Sequence, residues 1–320
     1  MIVTYLRGVI RVMILFLFGS SGEIITEKSG HLNMGTPGIM CMGATGAVVG
    51  ASVYINAIGG VSNANAFLGI VIPMLFCLIF AGLTGLLYCF LVDSLQCNQN
   101  VTGLTITTLG AGMFPFVSNI TKNAGFSILS ANYYVRIFSK EFSEANWFTQ
   151  IFLSHSFLVY LAIIIAVISL IVLNHTRVGL SLRAIGENPS TADASGVNVT
   201  RYKYIATLIG SCISGLGGLY YLMVMNNGAL EFNIESFGWL AVALVIFSLW
   251  NSGFAIVGSF VFALFYQLPR FIAVSGAMSK IIELIPYFVT IIVLIIVSLF
   301  NKRETQPPAS LGVSYFREDR

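Results

Sequence analysis

Thirteen carboxylates, three histidines and five cysteines are the side chains of this 320-residue chain with acid–base, nucleophilic or metal-binding capacity. Their spacing gathers none of them into a site. His31, His155 and His175 stand singly, as loop or helix-end residues do. Cys41, Cys77, Cys89, Cys97 and Cys212 are odd in number and form no CxxC, so they read as small buried hydrophobes rather than a disulfide framework or metal site. No GxxxxGK[ST] occurs, so no nucleotide is bound through a P-loop. The carboxylates, Glu23, Glu27, Asp93, Glu187, Asp193 and Glu235 among them, fall in loops or at the ends of apolar runs. Ion-coupled carriers usually place acids within the membrane. Their expected absence argues against such a carrier and against a membrane hydrolase with an acid–base pair. No catalytic residue, cofactor or metal is expected. A conduit driven by another subunit, or a passive one, is left.

One polar island stands out, residues 183–203, RAIGENPSTADASGVNVTRYK, between long apolar runs. Asn188 followed by Pro189 is a helix start. Asn caps the first turn, and Pro at the first helical position gives up no needed hydrogen bond. Gly196 can take the left-handed conformation that ends the short helix. A helix of under two turns is marginal alone, so its neighbours or a partner must hold it.

The elements that position this island are membrane spans. Of the residues, 57% are hydrophobic and 9% charged, against about 25% charged in soluble domains. Lipid must cover part of so apolar a surface. Apolar runs at 3–21, 34–54, 66–92, 101–117, 151–173, 204–225, 237–249, 254–271 and 281–300 predict an all-α, polytopic helical bundle in one domain, 1–320. About nine spans are expected (8–10), with 237–249 short enough to be re-entrant. Gly43, Ala47 and Ala51, Gly46 and Gly50, and Gly210, Ser214 and Gly218 recur every fourth residue, which lets helix backbones approach. Cations concentrated in the loop 174–203 and the tail 301–320 place both in the cytosol. Residues 118–150 then form the large outer loop, long enough for short helices. Arg7 and Arg11 fall outside, which fits poorly unless the first helix lies in the interface. No basic patch interleaved with aromatics suggests a nucleic-acid partner.

Three segments carry a family resemblance. The island resembles the cytoplasmic coupling loop of ABC-importer permeases of the branched-chain amino acid, ribose and nucleoside group, through Arg183, Gly186, Glu187, Asn188, Pro189, Ala192, Asp193, Ala194 and Gly196. Gly22, Glu23, Glu27, Gly30, Asn33, Gly35, Gly38 and Met40 resemble the signature of the nucleoside and simple-sugar branch, with Pro37 where that branch more often has Glu. The tail Pro308-Ala309-Ser310-Leu311-Gly312, followed by Tyr315 and Arg317–Arg320, is similar to that family's PAxLGxxYxRExR ending, and 237–250 has its GWxAxALxxFxxW cadence.

This resemblance implies a type II importer-like permease in the bacterial plasma membrane. Its partners would be an ABC ATPase that receives the coupling helix, a solute-binding lipoprotein, and a second permease chain of non-identical sequence. The implied cargo is a nucleoside or simple sugar. The sister cargo, a branched-chain amino acid, would want an acid for its ammonium. An ion-coupled carrier without an ATPase is the rival of a different class. A neutral, hydroxyl-rich cargo needs amides, hydroxyls and stacking aromatics along its path. The polar or aromatic candidates are Asn33, Gly35, Pro37, Thr107, Asn226 and Trp239, with Thr105, Thr108 and Asn251 beside them.

Overall fold

A computed structural model describes residues 2–121, 125–135, 137–230, 233–272, 277–300 and 306–316. Lys122, Arg136, Glu231 and the charged residues of 301–305 and 317–320 lie outside these. The described residues contain helices and no strands. In chain order these are α1 (Ile2–Glu27), α2 (Thr36–Ala57), α3 (Ala66–Cys89), α4 (Gln99–Thr121), α5 (Gly125–Tyr133), α6 (Lys140–Glu144), α7 (Trp147–Phe152), α8 (Phe157–His175), α9 (Arg177–Glu187), α10 (Pro189–Ala194), α11 (Val199–Tyr220), α12 (Ile234–Phe247), α13 (Ser252–Ile272), α14 (Ala277–Glu283) and α15 (Ile285–Phe300). Two of the long helices end in a π-helical turn, Phe90–Ser94 after α3 and Tyr221–Met225 after α11.

Among the described residues, seven helices are long and apolar enough to cross a membrane: α1, α2, α3, α4, α8, α11 and α13. The apolar run expected at 237–249 forms the shorter α12, of 14 residues. Residues 281–300 divide between α14 and the 16-residue α15. Nine is therefore not established as the number of spans. Large apolar side chains line the outward faces of α3, α4 and α8, among them Phe67, Leu83, Phe116 and Ile164. That surface suits lipid tails and would be unstable in water.

Small residues decide which helices lie at the centre. A Cβ on Gly22 of α1 would strike the Gly210 carbonyl of α11, and one on Gly43 of α2 would strike the backbone of Gly215. Gly38 of α2 and Gly110 of α4 meet backbone to backbone in the same way. Close approach of this kind is what holds helices together where lipid supplies no hydrophobic drive. Around this contact, Phe16, Phe18, Met40, Leu219, Tyr220 and Phe262 fill the core.

The first helix, expected as a span at 3–21 with an interfacial placement left open, is of spanning length. An interfacial helix would leave one face to solvent or headgroups, yet every residue from Val12 to Glu23 of α1 is buried. It packs on α8, α11, α12 and α13. Arg11 donates to the Val224 carbonyl (2.7 Å) at the end of the bundle away from the island, so its charge is held by the protein rather than by a lipid surface. The segment expected as the outer loop, 118–150, carries α5, α6 and the start of α7. Ser130 of α5 donates to the Met223 carbonyl at 2.5 Å, which ties this loop to the π-helical turn of α11.

Candidate functional site

The island folds as two short helices at one end of the bundle. The Thr176 hydroxyl accepts from the Gly179 amide (3.1 Å) and starts α9. The Asn188 carbonyl oxygen accepts from the Thr191 amide (3.0 Å) and starts α10, with Pro189 at its first position. Gly196 ends it at φ +86°, in open space. Leu182 and Ile185 of α9 and Ala192 of α10 turn inward. Ser190, Thr191, Ala194, Ser195 and Gly196 turn outward, so α10 offers a face of small residues with little to obstruct a partner.

The three segments that resemble the permease family meet here. The turn at 308–312 lies between the island and the signature. The Ser310 amide donates to the Gly186 carbonyl (2.9 Å), and its hydroxyl donates to the same oxygen (2.6 Å). The Gly312 amide donates to the Gly30 carbonyl (3.1 Å). Gly30 has φ +92°, a conformation that favours glycine, and a Cβ there would press on Ser310. A Cβ on Gly186 would meet the Lys28 carbonyl and Pro308. The Tyr315 hydroxyl donates to Asp193 Oδ2 of α10 (3.0 Å).

Behind this junction the signature forms a buried polar layer. The Asn33 amide donates to Glu23 Oε2 (3.1 Å), its carbonyl oxygen accepts from the Gly35 amide (3.0 Å), and the Thr36 hydroxyl donates to Glu23. Glu27, one turn along the same face of α1, accepts from the indole of Trp250. Trp250 and Leu249 both have positive φ, 55° and 53°, an uncommon conformation for side chains of this size. The acids expected in loops or at the ends of apolar runs prove, at Glu23 and Glu27, to be span-end residues that are buried. They belong to the last turns of α1, because that helix runs on past the apolar segment.

His31 is a second correction. Its imidazole is buried between the Thr207 hydroxyl (2.9 Å) and Asp93 (2.9 Å), and the Lys203 ammonium stands 3.5 Å from the same aspartate. Burial holds the histidine below its usual pKa, with the Asp93 hydrogen bond working against that. Burial likewise lowers the neighbouring Lys28 ammonium. Cys89 comes close enough that His31, Cys89 and Asp93 could surround a metal. Asp93 already faces two nitrogen partners, one of them cationic, so the cluster reads as a buried ion pair. The lysine counted as a loop cation, Lys203, lies inside it and is 2% exposed. The readable signal was a lone Asp and Lys at the ends of two apolar runs, each needing a partner if buried.

The opposite end is different. A cavity of about 690 Å³ opens beside the π-helical turn of α11, lined by Tyr221, Asn226, Asn233, Ser236, Phe237, Tyr266 and Tyr287, with Lys280 also in its wall. The Asn226 amide nitrogen is buried without a hydrogen-bond partner. Of the pathway candidates, Asn226 alone lines this cavity. Asn33, Gly35 and Pro37 sit in the signature layer, with Pro37 against Gly238. Thr107 donates to the Met34 carbonyl (2.8 Å). Trp239 lies half-buried on α12, its indole 3.5 Å from Glu235. Tyr221, Tyr266 and Tyr287 were not singled out in the sequence. Three tyrosines from separate helices carry no shared spacing.

The family described as "Branched-chain amino acid transport system / permease component" matches residues 4–298. The nucleoside ABC transporter permease protein NupC of Lactococcus lactis is 28% identical over 94% of this chain and 93% of its own. The guanosine ABC transporter permease protein NupQ of Bacillus subtilis is 26% identical over 93% and 92%. The putative glucose ABC transporter permease protein TsgC13 of Haloferax volcanii is 28% identical over 81% and 74%. No solved structure matches the chain. With a family match over nearly its whole length and a bundle of apolar helices of spanning length, the chain belongs to the branched-chain amino acid transport system permease family and is a multi-pass plasma-membrane permease, a transport subunit rather than an enzyme.

Proposed function

We propose that this permease imports a nucleoside or simple sugar, and that a partner ATPase drives it through α10. The observation that carries the reading is the island. A short helix is marginal alone, and this one is fastened at its base to the signature while its small-residue face is left open. That is the arrangement of a lever that meets a partner. Asn188, Pro189, Ala192 and Gly196 shape the helix, Arg183, Gly186 and Glu187 form the end of α9 that leads into it, and Asp193 fastens it to the tail.

The cargo class rests on the cavity and on the relatives. Among the described residues, its lining offers aromatic faces, tyrosine hydroxyls and an unpartnered amide, with one cation and no carboxylate. A neutral solute with rings and hydroxyls would be bound by such groups. A zwitterionic amino acid would leave its ammonium without a counter-charge. The relatives carry nucleoside, guanosine and glucose in their names. A lipoprotein would deliver solute at this end, a second permease chain would complete the pathway, and closure of the ATPase would reverse the open side.

Ion coupling has one observation in its favour, the buried pair Glu23 and Glu27, which removes the sequence argument against it. Each acid bonds a neighbour through one oxygen, Glu23 to Asn33 and Thr36 and Glu27 to Trp250, and ion coupling alone would give the exposed α10 face no purpose.

The test is affinity purification of the chain from its native membrane in mild detergent, with mass spectrometry of what accompanies it. Stoichiometric ATPase and a solute-binding lipoprotein are expected. Ligand screening of that lipoprotein then identifies the cargo. Recovery of the permease alone in several detergents would overturn ATPase coupling.

A further inference from the structure

We infer that the C-terminal segment 308–315 is the strut that carries movement of α10 into the helix bundle. Ser310 and Tyr315 act as its positioning residues. The inference rests on the coupling role proposed for α10 and goes beyond it, since nothing in that role requires the tail.

Movement of α10 can reach the bundle along the chain through α9 or α11, or across through whatever touches it. The segment 308–315 supplies the cross route. Tyr315 holds α10 itself, through Asp193 (3.0 Å). Ser310 holds the α9–α10 junction, with amide and hydroxyl both on the Gly186 carbonyl (2.9 and 2.6 Å) and the hydroxyl also 3.2 Å from the Ile185 carbonyl. Gly312 holds Gly30 (3.1 Å) in the loop between α1 and α2. Next to Gly30 stands His31, bonded to Thr207 of α11 and Asp93 after α3. Through these bonds and the chain between them, the segment links α9 and α10 to the loop between α1 and α2, and through His31 to α11 and the turn after α3.

Two features suit this linkage to bearing load. Its contacts fall largely on backbone carbonyls, which cannot swing away as side chains do. Its members are packed closely, since Ser310, Gly186 and Gly30 are buried, a Cβ on Gly186 would collide with the Lys28 carbonyl and one on Gly30 would press on Ser310. A displaced α10 must drag the segment or break its bonds. Coupling between distant sites needs a contiguous element of this kind, and spatial position alone does not demonstrate it.

The test uses the complete importer, all subunits together in proteoliposomes, with ATP hydrolysis and solute uptake measured on the same vesicles. The variants are Ser310→Ala with Tyr315→Phe, which remove two hydroxyls and leave the backbone bonds, and Ser310→Thr with Tyr315 kept. For the double variant we expect the ATPase to co-purify as in wild type and hydrolysis to stay within twofold, while uptake per ATP falls about tenfold. Ser310→Thr should recover most of the ratio, because its hydroxyl still reaches Gly186. A ratio unchanged in the double variant overturns the strut. So does loss of the ATPase from the complex, which would make the segment a docking surface. Failure of the wild-type complex to couple uptake to ATP would instead overturn the coupling role of α10.

Discussion

The two ends of the bundle use the same kinds of residue to opposite effect. At the island end, Glu23 bonds Asn33 and Thr36 through one oxygen and Asp93 pairs with His31 and Lys203, so two buried clusters close mostly on protein partners, with the other Glu23 oxygen left unpartnered among the described residues. At the other end, Asn226 points an unpartnered amide beside an open cavity, and tyrosines from α13, α15 and the π-helical turn after α11 surround it. Even the π-helical turn recurs. After α3 it delivers Asp93 to a closed network, and after α11 it brings Tyr221 and Asn226 to an open one. A polar group buried with a partner stiffens the fold. One held ready without a partner loses free energy until a ligand arrives. The first arrangement suits transmission of force and the second suits holding a solute.

The largest effect should come from opening the closed end. Asp93→Ala leaves Lys203 and His31 without their anion in a buried setting, and about 3–5 kcal/mol of stability should be lost. Thermal unfolding of the purified permease in detergent measures this. Adding Lys203→Met should restore most of it, because no charge is then stranded. A double variant as unstable as the single would show that the network does more than neutralise itself.

His155 tests whether the cavity end is as free of fixed polar structure as the cavity suggests. It lies between α7 and α8, bonded to the Ile151 carbonyl (2.8 Å), and burial lowers its pKa from 6.5 to about 4. Between those values the unfolded chain binds the extra proton, so stability is full above about pH 6.5 and is lost as pH falls towards about 4. The loss should be on the order of 3 kcal/mol. His155→Gln should flatten the melting temperature across that window. An unchanged slope would move the titrating group elsewhere.

Gly196→Val comes next. The position has room for a side chain but not the dihedral, so local strain of about 1–2 kcal/mol should tilt or fray the end of α10. ATP-driven uptake should vanish while binding of the lipoprotein at the far end persists, a separation that uptake and pull-down assays resolve. Normal uptake would detach α10 from coupling. The smallest effect is expected at the cavity. Asn226→Leu removes one donor, worth about 1 kcal/mol, so the uptake KM should rise about fivefold with no change in melting temperature. A large stability loss and an unchanged KM would reverse the contrast between the two ends.

Much of this could be read from residue order. Apolar runs longer than 18 residues can satisfy their backbone in lipid only as helices, which made the bundle legible. Asn188, Pro189 and Gly196 act on their own turn, so α10 was legible to within a residue. Small residues every fourth position announced close packing, though not that Gly22 meets Gly210 or Gly43 meets Gly215.

What the sequence by itself determined is therefore whatever depends on near neighbours: helix starts and stops, apolar length, and the three segments that resemble the permease family. Only the tertiary structure decided that Gly30, Gly186 and Ser310 touch, that Glu23 and Glu27 lie inside, and that Asp93 closes on His31 and Lys203. The physical reason is that burial of a charge, unlike the capping of a helix, depends on which distant helix supplies the partner, and no local pattern carries that information.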